Sequence, residues 1–191
     1  MTIGRVIRKA LYRLRAAELR FFGAELGRDC EVERHVVARC GVRNHRRGRI
    51  RIGDACILRD GVILEGYGGE IEIGQGTFIG PYTVVYGQGR VLIGDHCLIG
   101  AHCRVVSANH VIPPLGTDMR YLTDDLLPVK IGRDVWLGAG VTILGGVSVG
   151  DGCVIGAGAV VTADLPAGAI ALGVPAVVKR FREASDQSGT G

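Results

Sequence analysis

The strongest constraint on this sequence is a six-residue repeat that begins with an aliphatic residue, usually followed by glycine. The repeat is clearest in IGDHCLIGAHCR from Ile93 and in VGDGCVIGAGAV from Val149. A related block starts at Ile131, eighteen residues or three hexads before Val149. Because such blocks cover most of residues 26–166, a stack of repeats must organise the fold.

Each hexad has the composition of a short strand followed by a turn. Position 1 is usually Ile, Leu or Val and position 5 is small or β-branched. Alternation along a strand points both positions inward and leaves position 6 outward. Positions 2–4 are rich in glycine, which tolerates the positive φ of a tight turn. Three hexads close a triangular coil, and stacked coils place parallel strands about 4.8 Å apart. The sequence therefore predicts an all-β fold, a parallel β-helix of about six triangular coils.

The composition agrees with a core of small aliphatic side chains. The 191 residues are 47% hydrophobic but only 5% aromatic, and 31 of them are glycine. Five of the six cysteines fall at position 5, where we expect them to be buried filler: Cys30, Cys56, Cys97, Cys103 and Cys153. No CxxC pair occurs, so we expect neither a disulfide nor a metal site.

The two ends of the chain depart from the repeat. Residues 1–22 carry six basic groups against one acid, Glu18, and apolar residues recur there at helical spacing. We predict a basic amphipathic helix over 1–24, which either caps the open end of the β-helix or lies on an anionic membrane. The repeat domain spans 25–184, with a C-terminal extension at 167–184, and 185–191 is expected to be disordered.

No signal peptide or membrane span is predicted. Charges interrupt each apolar stretch near the N-terminus, and no run approaches the ~20 apolar residues of a spanning helix. We expect a cytoplasmic protein, located at the inner face of the membrane if the second interpretation of the N-terminal helix holds.

The repeat breaks at SANHVIPPLGTDMRYLTDD, which gives a protruding loop over 107–130. A loop of this length in a compact repeat is usually functional. The hexad register places His110 at outward position 6, beside Asn109, and puts Trp136 at the same position just after the break. We expect the loop to cover both side chains. Histidine accepts protons near neutral pH, so His110 is the candidate base, whereas Trp136 is either an oligomer contact or a wall for a ligand.

The C-terminal part carries a family resemblance. The segments VWLG, VVTAD and GVPAVVKR, within about residues 50–180, resemble those of the hexapeptide-repeat acyltransferases. The most similar group contains maltose, galactoside and Nod-factor O-acetyltransferases and those of surface-polysaccharide clusters. This resemblance implies a left-handed β-helix, a homotrimer with active sites between subunits, and direct acetyl transfer from acetyl-CoA.

The resemblance also implies roles for individual residues. His110 would be the general base that deprotonates the acceptor hydroxyl, and the N–H of Ala139 would polarise the thioester carbonyl. The remaining residues expected to contact acetyl-CoA are Trp136, Ala157, Thr162, Lys179 and Arg180. Apart from the resemblance, their places near His110 make Asn109, Tyr82 and Gln88 our expected acceptor contacts, and we expect either Asp124 or Asp125 to orient His110.

The sequence leaves several functions open. We predict an acetyl-CoA-dependent O-acetyltransferase for a sugar or glycan, with surface-polysaccharide synthesis as one candidate setting. Gly80 and Gln88 replace the asparagine and aspartate of galactoside-type relatives, which argues against a simple galactoside or maltose acceptor. The alternatives are acetylation of an amino sugar or a small antibiotic, a non-catalytic β-helix scaffold, and a metal-binding relative of the carbonic-anhydrase type.

Overall fold

The computed structural model describes residues 3–183. Helix α1 spans Ile3–Phe21, within the predicted 1–24. The rest of the chain winds through six coils, each with three short strands, and two hairpins interrupt the winding. The tail predicted to be disordered, 185–191, lies outside the described residues.

The strands of the first three coils follow one another along the chain with one hairpin inserted. Coil 1 contains β1 (Glu25–Leu26), β2 (Glu31–Val32) and β3 (Val37–Arg39), followed by the hairpin strands β4 (Val42–Arg43) and β5 (Arg46–Arg47). Coil 2 contains β6 (Arg49–Ile52), β7 (Ile57–Leu58) and β8 (Ile63–Glu65). Coil 3 contains β9 (Glu70–Ile73), β10 (Phe78–Ile79) and β11 (Val84–Tyr86).

The second half contains the other hairpin and a C-terminal strand pair. Coil 4 consists of β12 (Val91–Ile93), β13 (Leu98–Ile99) and β14 (Arg104–Val106); the hairpin strands β15 (Ala108–His110) and β16 (Asp124–Leu126) flank a short 3₁₀ turn, Met119–Tyr121. Coil 5 consists of β17 (Val129–Ile131), β18 (Trp136–Leu137) and β19 (Thr142–Ile143). Coil 6 and the extension consist of β20 (Ser148–Val149), β21 (Val154–Ile155), β22 (Val160–Val161), β23 (Ala169–Leu172) and β24 (Val177–Phe181).

Corresponding strands stack in parallel into the three sides of a prism. Sheet A has the order β1-β6-β9-β12-β17-β20, and sheet C consists of β3, β8, β11, β14, β19 and β22. Sheet B runs β2-β7-β10-β13-β18-β21 and ends with the antiparallel pair β23–β24. The prism has an AB, a BC and a CA corner, named for the sheets that meet there.

The inward positions of the hexad fill the prism as predicted. Position 5 is fully buried at Cys56, Val62 and Val141, and position 1 is fully buried at Ile99 and Leu137. All six cysteines are buried and free. A fully buried Ile or Leu contributes about 1.5–3 kcal/mol of hydrophobic free energy. The repeated aliphatic ladder therefore stabilises a prism that has few aromatic residues.

The turns require glycine because successive coils lie very close together. A Cβ on Gly138 would lie 2.6 Å from the backbone nitrogen of Ala157 in the next coil. At the AB corner, aspartates complete the turns: the carboxylates of Asp95 and Asp151 accept hydrogen bonds from the N–H groups of Gln75 and Arg133 at 2.9 Å. The coils are thus joined through their turns as well as through their strands.

Helix α1 covers the first coil. Leu19 and Ala16 are buried and belong to the same hydrophobic cluster as the prism core. The Arg20 guanidinium donates hydrogen bonds to the carbonyl oxygens of Leu26 and Gly27, which fixes the C-terminal end of the helix on the coil. One face of the helix therefore acts as a cap, and none of the helices within residues 3–183 is long and apolar enough to cross a membrane.

Candidate active site

The β15–β16 hairpin leaves the prism at the CA corner of coil 4 and corrects the predicted register of SANH. Ser107 is the last buried residue of the coil. Its hydroxyl donates to the Tyr86 carbonyl at 2.7 Å, and its carbonyl accepts from the Leu127 N–H at 2.8 Å. From Ala108 the chain pairs antiparallel with Asp124–Leu126. His110 therefore lies on the hairpin and not at position 6 of a coil strand, as the hexad count had predicted.

Antiparallel pairing places His110 opposite Asp124. The His110 Nδ1 atom lies 2.7 Å from a carboxylate oxygen of Asp124. The other oxygen of Asp124 accepts a hydrogen bond of 3.0 Å from Gln88 Nε2, in the turn of coil 3 directly below the hairpin. His110, Asp124 and Gln88 thus form a polar chain that fixes the imidazole to the prism. The sequence had offered Asp124 and Asp125 equally, and the contact selects Asp124.

The polar chain leaves one side of the imidazole open. The His110 side chain is 77% exposed, whereas that of Asp124 is only 22% exposed. With Nδ1 as the donor to the carboxylate, the lone pair of Nε2 remains available to accept a proton. The carboxylate would also stabilise the imidazolium that forms on proton transfer. This arrangement suits a general base acting on an external ligand.

Trp136 lies on sheet B and not under the hairpin. It pairs in register with Leu98 of the coil before and with Val154 of the coil after. Trp136 and Leu98 are 53% and 55% exposed. The predicted loop that covers both His110 and Trp136 within one chain is therefore not observed, because the hairpin leaves from the CA corner, which sheet B does not form.

The row of outward residues that contains Trp136 leads to the C-terminal basic residues. Trp136 pairs with Val154, Val154 with Ile170, and Ile170 with Arg180 of β24. Three inter-strand steps of about 4.8 Å separate Trp136 from Arg180 by roughly 14 Å. Lys179 and Arg180 are both exposed. The sheet thus presents an apolar surface that ends in positive charge.

A row of open backbone donors lies at the BC corner. The turn residues Ala101, Ala139 and Ala157 occupy the same place in coils 4, 5 and 6, and within residues 3–183 their N–H groups make no hydrogen bond. At the AB corner, aspartate carboxylates satisfy the equivalent N–H groups of alternate coils. Alanine offers no such acceptor, so the N–H groups of the BC row remain open. Ala139 had been predicted, but the row was not.

Cys103 holds the Ala139 turn from below. Its thiol donates to the Gly138 carbonyl at 3.2 Å. Burial raises the pKa of Cys103, so the thiol keeps the proton that it donates. The hexad predicted only a filling role for this side chain, and the hydrogen bond is visible only when coil 5 is stacked on coil 4.

The other predicted site residues are distributed over different corners. Thr162 follows β22 at the CA corner and is exposed, on a different corner from Ala157. Tyr82 is at the BC corner, where its ring stacks on His102 at a centroid distance of 5.3 Å. Asn109 is exposed on β15 beside His110. One chain therefore brings together Asn109, His110 and Gln88 at the CA corner, and keeps them apart from Trp136 and Ala139.

The described residues offer no evident metal centre. Across residues 3–183, no three side chains of the His, Cys, Asp and Glu types are grouped so as to hold an ion. His35, His96 and His102 occupy turn positions with positive φ. His35 instead pairs with Asp60 at 3.1 Å.

Comparison with known proteins identifies the repeat. Residues 128–163 match the family model described as bacterial transferase hexapeptide (six repeats), and residues 90–112 match that of the hexapeptide repeat of succinyl-transferase. The chain is 39% identical to nodulation protein L of Rhizobium meliloti (strain 1021) over 70% of its own length and 72% of the relative. It is 32% identical to the galactoside O-acetyltransferase of Lactococcus lactis subsp. lactis (strain IL1403) over 71% of its length and 64% of that relative, less than two thirds.

A solved structure shares the fold. The hexapeptide-repeat acetyltransferase of Vibrio cholerae O1 biovar eltor, solved as a complex with acetyl-CoA, is 27% identical. It superimposes with a TM-score of 0.65 over 90% of this chain and 78% of its own. The predicted fold, a left-handed parallel β-helix of about six coils, is confirmed. From the repeat, the fold and these relatives, the chain belongs to the hexapeptide-repeat acyltransferases.

Proposed function

We propose that the protein transfers an acetyl group from acetyl-CoA to a hydroxyl of a sugar or glycan, with His110 as the general base. The observation that carries this proposal is the polar chain of His110, Asp124 and Gln88 side chains, which fixes an exposed imidazole to the prism. The relative named galactoside O-acetyltransferase supports a sugar-type acceptor. The complex of the Vibrio cholerae protein supports acetyl-CoA as the donor.

The chemistry needs one base and no covalent nucleophile. Nε2 of His110 removes the proton of the acceptor hydroxyl while its oxygen attacks the thioester carbon. The new C–O bond forms and the C–S bond breaks, and the CoA thiolate leaves with the proton returned by the imidazolium. General-base assistance of this kind is worth about 10²–10⁴-fold in rate. Asp124 stabilises the imidazolium in between.

The part of the site that would bind acetyl-CoA is formed by sheet B and the BC corner. The open N–H of Ala139 would bind the thioester oxygen as negative charge develops on it. The pantetheine arm would extend past Trp136 along the apolar row, with Ala157 beside it at the BC corner. Thr162, at the CA corner, could contact it only from the neighbouring subunit. The CoA phosphates would meet Lys179 and Arg180, which are the exposed basic residues at the end of this sheet.

A complete site requires two copies of the chain. His110 leaves from the CA corner, and Ala139 lies at the BC corner of the same prism. Sheet B exposes Leu98 and Trp136, an apolar surface suited to contact with a second copy, whereas sheet A carries ion pairs such as Arg51–Glu72 at 2.7 Å. We propose a homotrimer in which the CA corner of one subunit faces the BC corner of the next, so that each site takes residues from both.

Acceptor contacts would come from the hairpin side. Asn109, next to His110, is the first candidate because it is exposed on the same strand. Gln88 is committed to Asp124 and so acts on the acceptor only indirectly. Tyr82, at the BC corner, can contact an acceptor only from the neighbouring subunit.

The test of this function is the substitution His110→Ala. Turnover of acetyl-CoA with a sugar acceptor should fall by about 10²–10⁴-fold, because the base is lost and the donor surface is untouched. Acetyl-CoA binding, measured by calorimetry, should be unchanged. The matched control is His96→Ala, an exposed turn histidine at the AB corner, which should keep its turnover. Near-normal turnover of His110→Ala would refute the assignment.

A further inference from the structure

Helix α1 carries two apolar faces, although a cap needs only one. The inner face is buried on the first coil and consists of Tyr12, Ala16 and Leu19. The outer face, which is exposed, consists of Ile7, Leu11, Leu14 and Phe21. At about 100° per residue, the two series point to roughly opposite sides of the helix. The most exposed member, Phe21, is 85% exposed. Capping of the prism therefore does not explain why the outer face carries exposed apolar residues.

Basic side chains border the outer face on both sides. Lys9 and Arg13 lie on one flank and Arg8 lies on the other. Arg20 and Arg15 lie on the same two flanks but donate hydrogen bonds to carbonyl oxygens of the first coil. The only acidic residue of α1, Glu18, is exposed on the outer face itself, one turn after Leu14. An apolar strip bordered by Lys and Arg is the composition of helices that lie in the interface of a membrane. The charge also argues against a second copy of the chain as the occupant of the outer face. If two outer faces packed together, their bordering Lys and Arg side chains would face one another and repel.

The β4–β5 hairpin extends this surface. Arg47 donates a hydrogen bond of 2.9 Å to the Phe22 carbonyl at the end of α1, which joins the two elements. Phe22, Val42 and Arg47 line the same cavity. Val42 is 71% exposed and Phe22 is 57% exposed. The apolar surface thus continues from the helix onto the hairpin and keeps its basic border, which there includes Arg46.

We propose that the outer face of α1, together with the β4–β5 hairpin, binds the surface of an anionic phospholipid bilayer. The apolar side chains would enter the interface, and the bordering Lys and Arg would contact the acidic headgroups, as in other basic interfacial helices. The inner face stays on the prism throughout. Capping and membrane binding, which the sequence presented as alternatives, are then performed by opposite faces of one helix.

The test is co-sedimentation of the full chain with vesicles. Phosphatidylcholine vesicles with phosphatidylglycerol should bind the protein, and vesicles of phosphatidylcholine alone should bind it at least about tenfold less. The double variant Leu14→Ser with Phe21→Ser, and separately Arg13→Glu with Arg46→Glu, should each lower binding to the anionic vesicles by about tenfold or more. Leu115→Ser with Arg120→Glu is the matched control, with exposed residues of the other hairpin, and should bind like the parent chain.

Two further measurements keep the test decisive. Circular dichroism and turnover with a soluble acceptor should be unchanged in the outer-face variant, since its residues are exposed and distant from the prism core. Failure of the parent chain to bind anionic vesicles would overturn the proposal. It would also be overturned if the parent chain self-associated through Leu14 and Phe21 without binding vesicles, because the outer face would then belong to a second copy.

Discussion

An exposed imidazole is a poor base unless a neighbour fixes its orientation and its tautomer, and Asp124 does both for His110. The carboxylate is mostly buried between the hairpin and the turn of coil 3. Gln88 holds the second carboxylate oxygen, so rotation of Asp124 would break a hydrogen bond. The sequence could name His110 and the pair Asp124 or Asp125, but Gln88 entered the prediction as an acceptor contact. Only the stacking of the hairpin on coil 3 shows that its amide faces a carboxylate.

This orienting role predicts a kcat defect without a binding defect. Asp124→Asn should lower kcat by about tenfold to 10²-fold, since a misplaced base loses its alignment with the hydroxyl. KM for acetyl-CoA should not change, and Asp124→Glu should restore part of kcat. The control is Asp125→Asn, at the exposed neighbouring position. Equal kcat values for Asp124→Asn and Asp125→Asn would contradict the role.

At the scale of elements, the hexad predicts the strands well and the insertions poorly. Position 5 residues such as Val62 are inside because the strand alternation leaves no other choice. The same hexad count predicted the wrong position for His110. Ser107 ends the coil through its own hydrogen bonds, and β15 then pairs antiparallel with β16. The sequence also could not distinguish the two faces of α1, since the apolar residues of both recur at helical spacing. Only the packing of the helix on the first coil separates them.

The packing of α1 predicts opposite outcomes for two leucines. Leu19→Ala on the inner face should lower the free energy of unfolding by about 2–5 kcal/mol, because it leaves a cavity in a closed core. Leu14→Ala on the outer face, at a side chain that is 69% exposed, should change it by no more than about 0.5 kcal/mol. Urea denaturation measures both. Similar losses for the two variants would mean that the outer face is buried in solution.

At the scale of the whole molecule, the prism separates the proposed base from the proposed acetyl-CoA surface. Parallel stacking puts every turn of one kind at one corner, so the open N–H row falls at the BC corner and both hairpins fall at the CA corner. No change within one subunit can join these corners while the core stays packed. The sequence showed which residues repeat but not which corner each occupies, because corners exist only after the coils are closed.

Assembly of the site from two copies is tested by co-expressing two inactive variants. His110→Ala removes the base, and Ala139→Pro removes the open N–H. Pro81 occupies the equivalent turn of coil 3, so this backbone accepts proline there. Ala101→Pro, in the turn of coil 4, is the control and should keep its activity.

Differently tagged chains of the two variants should be purified together as mixed assemblies. If the site lies between subunits, each mixed trimer contains one intact site of three, so the purified mixed trimers should show roughly a third of wild-type turnover. Verified mixed trimers that show no turnover above that of the separate variants would contradict the account.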